Sequence, residues 1–571
     1  MLMWIESGLV SVCLLLAFPF SKYNPSWIVT AENTFRRIAE RQKLSILLVG
    51  LLALLARVAV LPLLPVPEPS INDEFSHLLA ADTFAHGRVT NPPHPLWIHF
   101  ETFHVIQKPT YASMYPPAQG LIMALGQTMT GSPFVGVCLS VALFCASLCW
   151  MLQGWTSPSY ALLGGLIAIM RFGMFSYWAN SYWGGAMAAV GGALVLGALP
   201  RIMKTQSTPA ALVMGVGFAI LANSRPYEGL ILGVAVAAVL LAWLLRKQAT
   251  GRRVAIYRVA PPLVVVVVLA SLATGYYFWR VTGSPFLMPQ MVDRETYAVA
   301  PYFLWQSPRP EPVYHHETMR YFYLHNELSF YLQNRSPFSF IALTVMKFFS
   351  IWLFYLGPLL TLPLAVACAA APCRPMWANL SEEMRLLLVI FGFWFAGLAV
   401  EVFFYPHYAA PIACLLFALA LRAMSYARTL KWRGRPVGLS LTRLIPLCCL
   451  LLVAVRISAS PLHLPVTPDW PLMWYNAVPL KTDRARVLAE LEQYPGGQLA
   501  LVRYADHRKS RYDWVYNRAD IDGAKVVWAW DMGETANGEL IEYFKDRRVW
   551  LVQPDGLGKQ LSPYVRKHKG D

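Results

Sequence analysis

The acidic pair Asp73-Glu74 follows an apolar run that ends in a proline-rich passage. A carboxylate can serve as a general base when it lies within hydrogen-bonding distance of the proton that it removes. The next apolar residues recur at helical spacing, so Asn72 or Asp73 could instead be an N-cap and Glu74 a first-turn charge. The pair therefore predicts either a base for an alcohol or the ordinary start of a helix on the bilayer surface.

His77 lies four residues after Asp73, on the same face of the expected helix. An aspartate and a histidine can share a metal ion, but protein metal sites usually have three or more protein ligands. The pair leaves a divalent metal open, and no other cofactor is indicated.

Arg225 lies where an apolar run ends, in the sequence Asn-Ser-Arg-Pro-Tyr-Glu-Gly that also contains Tyr227 and Glu228. A guanidinium there could bind two phosphate oxygens at once, or it could simply pair with Glu228. His407, before a later apolar run, could also donate to a phosphate, although a histidine there is often structural. We expect all four residues to bind substrate, and the basic groups among them predict an anionic partner such as a phosphate.

Further polar candidates lie in two long segments between apolar runs, residues 65–132 and 282–338. Charged side chains beside a membrane are costly to desolvate, so they usually face a cavity or pair with one another. If both segments face the same side, one cavity could collect their substrate-binding candidates, which are Glu101, Lys108, His315 and His316.

The composition indicates that these residues belong to a membrane protein. Of 571 residues, 56% are hydrophobic and only 14% are charged, whereas charged residues make up about 25% of soluble domains. The net charge is +16, but residues 460–571 hold 16 Lys/Arg and 15 Asp/Glu, so the membrane part carries the remaining +15. Basic residues beside apolar runs fit the positive-inside rule and anionic lipid, and they argue against nucleic acid as a partner.

The apolar runs predict twelve membrane spans between residues 4 and 458, one of them at residues 340–364. Alternating these spans puts most basic residues inside, which places the N-terminus and both long segments outside. The sequence thus divides into an N-terminal span with a basic cytoplasmic loop, a transmembrane module with external loops 65–132 and 282–338, and an exported tail. Their ranges are residues 1–43, 44–459 and 460–571.

The tail has the pattern of a small α/β domain. Helices are predicted at residues 482–494 and 534–545, and strands at residues 498–504, 525–530 and 548–553. The strand, helix, strand order at its end favours a βαβ unit and a mostly parallel sheet.

The motif order of the first long loop resembles that of the GT-C superfamily of polytopic glycosyltransferases. More narrowly, it resembles the branch that contains the protein O-mannosyltransferases and the lipid A aminoarabinose transferases. The resemblance covers roughly residues 44–425. It is carried by an outward span followed by Asp73-Glu74, His86-Gly87-Arg88, Phe100-Glu101, Lys108-Pro109 and Pro116-Pro117.

The resemblance implies that a sugar moves from a polyprenyl phosphate to the hydroxyl of a glycan, lipid or protein outside the inner membrane. It assigns Asp73 as the general base and Glu74 as its neighbour at the acceptor. Glu101 and Lys108 match the family's Glu-Lys-Pro element only in part, because six residues separate Glu101 from Lys108-Pro109. By their place in the topology, Arg225 and His407 are expected at the lipid phosphate.

One base and a cationic cradle suffice for this chemistry, because the departing phosphate needs no acid to protonate it. Attack from the face opposite the phosphate predicts inversion at the anomeric carbon. Two other classes remain open: a transporter or flippase for a lipid-linked sugar, and a non-catalytic assembly subunit whose tail is the binding module. The inverted repeats common in transporters are not found in this sequence.

Overall fold

The computed structural model describes residues 2–370, 380–466, 473–506, 514–555 and 560–565. Within these ranges, eight helices are long and apolar enough to cross a membrane, and four further apolar helices are shorter. A small sheet lies near the C-terminus. The predicted fold class, a polytopic helical membrane protein with a small C-terminal α/β region, is confirmed.

The helices of the first half include two that form the start and end of the first long loop, α4 and α5. In chain order they are α1 (Leu2–Ala17), α2 (Ser26–Glu40), α3 (Gln42–Val60), α4 (Asn72–Ala85), α5 (Ala118–Thr130), α6 (Pro133–Trp155), α7 (Pro158–Ala168), α8 (Ala186–Thr205), α9 (Thr208–Ala222), α10 (Pro226–Leu245), α11 (Ala249–Thr282) and α12 (Pro289–Tyr297).

The later helices complete the membrane part and the tail. They are α13 (Glu317–Tyr321), α14 (Ser329–Gln333), α15 (Pro337–Tyr355), α16 (Gly357–Ala369), α17 (Glu382–Ala399), α18 (Ala413–Ala427), α19 (Val437–Ala459), α20 (Asp483–Glu492) and α21 (Glu534–Tyr543). Short 3-10 turns occur at Pro19–Lys22, Trp97–Phe100 and Pro406–Ile412, and π-helical turns at Ile169–Gly173 and Phe322–Leu328.

The single span predicted at residues 340–364 is instead two helices, α15 and α16, which meet at Gly357. Gly357 has a φ of 61°, which a glycine adopts without strain, and the proline after it has no N–H to continue α15. Arg171 donates to the freed carbonyl oxygen of Leu356 and lies 3.4 Å from Glu6 in α1. A buried ion pair therefore fixes the break.

Close backbone contacts hold the first loop against the bundle. A Cβ atom on Gly126 of α5 would lie 2.2 Å from the backbone nitrogen of Gly136 in α6. Only glycines allow two helices to approach this closely, as is common between membrane helices. The contact fixes the position of α5, against which α4 packs.

The helix predicted to lie on the bilayer surface, α4, is buried inside the protein. Its buried residues cover more than one face and include Phe75, Leu79 and Ala81. The helix packs on α5 on one side and on the C-terminal domain on another. Between α4 and α5, a two-residue antiparallel pair joins β1 (Val105–Ile106) to β2 (Ala112–Ser113).

The C-terminal domain has the predicted βαβ unit. Strands β3 (Gln498–Val502), β4 (Val526–Trp530) and β5 (Arg548–Val552) are parallel, and β6 (Leu561–Pro563) is antiparallel to β5, in the order β4-β3-β5-β6. The helix α21 connects β4 to β5. Each predicted helix and strand of the tail is confirmed within a few residues, and only β6 was not predicted.

The C-terminal domain contacts the first loop directly. The Tyr516 ring stacks on Phe75 of α4 with 4.4 Å between the ring centroids, and its hydroxyl donates to the Phe103 carbonyl oxygen at 3.1 Å. The backbone N–H of Ala519 donates to Asp82 near the end of α4 at 2.9 Å. The domain therefore supports the helix that begins with the acidic pair.

Candidate active site

Asp73 is the second residue of α4, and its side chain is 23% exposed. The Tyr115 hydroxyl donates to Asp73 Oδ1, and His104 Nδ1 lies 3.9 Å from the same oxygen. Tyr115 also lies within 3.3 Å of His104 Nδ1, so the three groups form one connected set. A carboxylate that is oriented by a hydrogen bond and partly exposed to a substrate can act as a base.

Glu74 accepts hydrogen bonds from backbone N–H groups of the first loop and of the segment before α8. Its Oε2 accepts from the N–H groups of Ser70 at 2.8 Å and Ile71 at 3.3 Å, and its Oε1 accepts from Tyr182 N–H at 2.9 Å. Burial raises the pKa of Glu74, and these donors oppose that rise. Since Ile71 is the N-cap, neither Asn72 nor Asp73 caps α4, and Glu74 fixes the helix start. The geometry thus favours a positioning role for Glu74 over the predicted contact with the acceptor.

His77 stacks on Tyr115, with 4.4 Å between the ring centroids. Burial lowers the pKa of His77 to about 4, so the ring is neutral near pH 7. Within the described part of the chain, His77 Nδ1 has no hydrogen-bond partner.

The predicted metal pair, Asp73 and His77, has no third ligand in place. Among the residues that the structure describes, no group of three His, Cys, Asp or Glu side chains could hold a metal ion. The Oδ1 atom of Asp73 already accepts from Tyr115. Asp73 and His77 alone therefore supply two ligands, fewer than protein metal sites usually have.

Arg225 is the N-cap residue of α10, and its guanidinium lies 3.8 Å from the centroid of the Tyr408 ring. Its Nη1 is 3.4 Å from Glu228 Oε1, so the simple ion pair considered from the sequence is present. Burial acts against the charge, but Glu228 and Tyr408 more than offset it and raise the pKa of Arg225. The side chain is still 23% exposed, which leaves part of the guanidinium free for an anion.

His407 lies in the 3-10 turn Pro406–Ile412, inside an aromatic cluster. Its Nδ1 is 3.0 Å from the Tyr177 hydroxyl, and its ring centroid is 4.5 Å from that of Trp183. Among the described residues, its Nε2 has no hydrogen-bond partner.

Asp73, His77, Arg225 and His407, which the sequence predicts only to share one side of the membrane, interact electrostatically with one another. Asp73 interacts electrostatically with His77, and Arg225 interacts with both histidines. Tyr408 interacts electrostatically with both Asp73 and Arg225. The base and the cation therefore belong to one polar site at the ends of apolar helices.

The predicted substrate-binding residues Glu101, His315 and His316 form a separate cluster. Glu101 accepts from the Tyr297 hydroxyl at 2.9 Å and pairs with His315 Nδ1 at 2.8 Å. His316 Nε2 donates to a backbone carbonyl oxygen at 2.7 Å, and its ring stacks on Trp530. Burial raises the pKa of Glu101, and His315 opposes the rise. These bonds join the first loop, loop 282–338 and the C-terminal domain.

Two other predicted binding residues also have structural partners. Lys108 is exposed, and its ammonium lies 4.3 Å from the centroid of the Trp97 ring. The Tyr227 hydroxyl donates to the Gly397 carbonyl oxygen at 2.9 Å. The geometry favours structural roles for both residues.

Sequence reasoning assigned no role to His104 or Tyr115, and it counted Tyr408 only among the polar candidates on the outer side. Tyr115 directly precedes the Pro116-Pro117 pair, but only the fold shows that its hydroxyl reaches Asp73. His104 has a φ of 62°, which is rare for any residue but glycine and often marks a functional position. Its carbonyl oxygen accepts from Ser76 Oγ at 2.6 Å and from Met114 N–H at 3.1 Å, and these bonds stabilise the conformation.

Comparison with known proteins gives structural likeness alone. No family model matches the chain, and no curated protein matches it. Among solved structures, apo ArnT from Cupriavidus metallidurans is similar with a TM-score of 0.47 and 13% identity, over 92% of this chain and 93% of that one. The Archaeoglobus fulgidus oligosaccharyltransferase in complex with Zn and sulfate has a TM-score of 0.45 and 12% identity, over 89% and 67%.

A second ArnT structure, bound to undecaprenyl phosphate, is similar with a TM-score of 0.45 and 13% identity, over 89% of this chain and 92% of that one. All these similar proteins are GT-C glycosyltransferases, and ArnT is a lipid A aminoarabinose transferase. They belong to the class that the sequence resemblance named.

Proposed function

We propose that this protein is a membrane glycosyltransferase that moves a sugar from a polyprenyl phosphate to an acceptor hydroxyl outside the inner membrane. The observation that carries the proposal is that a partly exposed carboxylate, Asp73, and a partly exposed cation, Arg225, both interact electrostatically with the same residue, Tyr408. A base and a phosphate-binding cation are the two groups that this transfer requires.

Asp73 is the base. It accepts the proton of the acceptor hydroxyl as the acceptor oxygen bonds to the anomeric carbon. The bond between that carbon and the phosphate oxygen breaks, and the phosphate departs with its electron pair. Because the acceptor attacks opposite the departing phosphate, the anomeric configuration inverts.

Arg225 stabilises the negative charge that develops on the departing phosphate. The Tyr408 ring below the guanidinium and Glu228 beside it restrict its rotation, so little is lost when it binds an anion. A phosphate monoester is a far better leaving group than an alkoxide, so no second carboxylic acid is needed. This accounts for a site in which Asp73 acts without a paired general acid.

The position of the site suits a lipid-linked donor. Arg225 begins α10 and His407 precedes α18, so both lie where apolar helices end. The phosphate of a carrier lipid occupies the same depth, because its chain remains in the bilayer. The acceptor, which can be a glycan, a lipid or a protein, reaches Asp73 from the aqueous side.

A transfer assay tests the proposal. The purified protein in lipid nanodiscs is mixed with radiolabelled polyprenyl-phosphate sugars and envelope extracts as acceptors. We expect a labelled product with the anomeric configuration opposite to that of the donor, and no product with Arg225→Gln. Movement of intact lipid-linked sugar across proteoliposomes without transfer would show a transporter, and neither activity would favour the assembly subunit.

A further inference from the structure

Gln119, in the first turn of α5, is buried without hydrogen-bond partners. Its side chain is 6% exposed, and within the described part of the chain neither its amide oxygen nor its amide nitrogen has a partner. Leaving a buried amide unpaired destabilises a protein, so such groups are rare in native structures. A ligand that pairs with the amide would account for its presence.

The amide of Gln119 lies against a glycine pair at the start of a long helix. Gly184 and Gly185 have φ values of 99° and 116° and precede α8. A Cβ atom on Gly184 would lie 3.2 Å from Gln119 Oε1, and one on Gly185 would lie 3.0 Å from His407 Cβ. A larger residue would therefore separate the glutamine and the histidine from the backbone.

The start of α8 offers hydrogen-bond donors. The first N–H groups of a helix have no acceptor within it, and the helix dipole adds partial positive charge at this end. A Cβ atom on Gly185 would also lie 2.6 Å from the Trp178 ring, so only a glycine fits at this position. Backbone N–H groups at helix N-termini form known phosphate sites. His407, which lies next to Gly185, has no partner for its Nε2 among the described residues.

A cation, Arg225, lies near these donors, and two carboxylates, Glu228 and Glu401, also interact with it. Arg225 interacts electrostatically with His407 and His77, so the site lies in its field. The carboxylate nearest to the guanidinium, Glu228, is already paired with it. Donors without partners, a helix N-terminus and a cation together fit a phosphate group.

We propose that Gln119, His407 and the backbone N–H groups at the start of α8 bind a phosphate group, that of the carrier lipid. This proposal rests on the proposed function and adds further hydrogen-bond donors to the phosphate site of Arg225. Gln119 donates through its amide nitrogen, and the glycine pair allows the phosphate oxygens to reach the backbone.

Binding by the Gln119→Met variant tests the proposal. Methionine preserves the length of the side chain but removes the unpaired amide, so we expect an unchanged or higher unfolding temperature. The Kd for undecaprenyl phosphate, measured by its tryptophan-fluorescence change in detergent, should rise about tenfold. The matched control is Gln127→Met on the same helix, where the amide bonds to Asp82 at 3.0 Å. This variant should lose stability and retain the wild-type Kd.

Binding of three different ligands tests which chemical group the site recognises. Undecaprenyl phosphate and inorganic phosphate should both bind less tightly to Gln119→Met, whereas uncharged polyprenol should bind equally to both proteins. Tighter binding of the lipid than of inorganic phosphate to the wild type assigns the site to the carrier, and equal binding overturns that assignment. An unchanged Kd for undecaprenyl phosphate in a folded Gln119→Met protein would overturn the phosphate site itself.

The two proposals fail separately. If the wild type transfers sugar and Gln119→Met binds the lipid phosphate normally, the phosphate site is wrong and the glycosyltransferase remains. If the wild type binds the lipid phosphate through Gln119 but transfers nothing, the phosphate site remains and the glycosyltransferase is wrong.

Discussion

At the scale of single residues, Asp73 depends on the hydroxyl that contacts it. Burial, and then the charge of Asp73, raise the pKa of Tyr115 well above its usual range. Tyr115 therefore keeps its proton and remains a donor at any pH at which the protein is folded. A donor of this kind fixes the rotamer of the carboxylate, and in the proposed mechanism the second oxygen accepts the proton of the acceptor hydroxyl.

Replacing Tyr115 with phenylalanine should impair catalysis more than binding. Without the hydroxyl, Asp73 is less well aligned, and we expect kcat to fall about tenfold while KM for the lipid donor is unchanged. Steady-state transfer rates at varied donor concentration measure both quantities. Tyr111→Phe is the matched control, since the Tyr111 hydroxyl bonds to the Asn517 carbonyl oxygen. An unchanged kcat in Tyr115→Phe would show that the Tyr115 hydroxyl does not orient Asp73 for catalysis.

Buried histidines make the stability depend on pH. Burial lowers the pKa of His316 to about 4 from 6.5, against its hydrogen bond to Ile98. Between pH 6.5 and 4 the unfolded chain binds more protons than the folded one, so the free energy of unfolding falls as the pH falls. This loss of unfolding free energy is absent well above pH 6.5 and reaches about 3 kcal/mol at pH 4.

The variant His316→Phe isolates this effect, because phenylalanine can still stack on Trp530. We expect a lower unfolding temperature at neutral pH, since the bond to Ile98 is lost, but a weaker fall on acidification. Thermal unfolding in detergent at several pH values measures it. A slope identical to that of the wild type would show that His316 is not buried in neutral form.

Several residues of the candidate site could be selected from the sequence, because motif position and predicted topology both assign them to one side of the membrane. They located Asp73, Arg225 and His407 without any contact being known. The partners of these residues could not be predicted: Tyr177 and His407 are 230 positions apart, and no local pattern joins them. Glu101 and His315 were predicted to bind substrate, but they pair with each other across 214 positions.

At the scale of elements, α4 owes its position to the C-terminal domain. Its sequence pattern predicted the helix but not its burial, because Ala519, which donates to Asp82 of α4, lies 437 positions away in the chain. The tail was easier to predict, since β3, β4 and β5 are short apolar runs between clear turn signals. Periodicity identifies an element, whereas burial depends on which distant element packs against it.

Weakening this contact should reduce catalysis from a distance. Tyr516→Ala removes the stack on Phe75, and we expect a loss of about 3 kcal/mol in unfolding free energy. Because α4 then shifts, kcat should fall while the Kd for the lipid phosphate stays the same. In the control Tyr494→Ala, the lost ring lies against Trp550 within the domain, so stability alone should fall. An unchanged kcat in stable Tyr516→Ala protein would make the domain dispensable for catalysis.

At the scale of the whole molecule, the account requires that the first loop and the C-terminal domain lie outside. The two are in contact, so they share one side of the membrane. By the positive-inside rule, the basic residues before α11 predict that this segment lies on the opposite side.

Labelling of introduced cysteines in intact cells tests this topology. Pro92 in the first loop and Thr250 at the start of α11 are both exposed. In a Cys368→Ser background, which removes an exposed native thiol, a membrane-impermeant maleimide should label Pro92→Cys in intact cells. Thr250→Cys should react only after permeabilisation. The reverse pattern would place the site in the cytoplasm and contradict the proposed donor side.

The most direct test of the central claim is sugar transfer by the Asp73→Asn protein. Asparagine keeps the size of the side chain and cannot accept the acceptor's proton, so we predict a kcat at least about 100-fold lower. Binding of the polyprenyl phosphate should stay at the wild-type level, and Glu295→Gln, an exposed carboxylate in loop 282–338, should transfer normally. Wild-type transfer by folded Asp73→Asn protein would contradict the account.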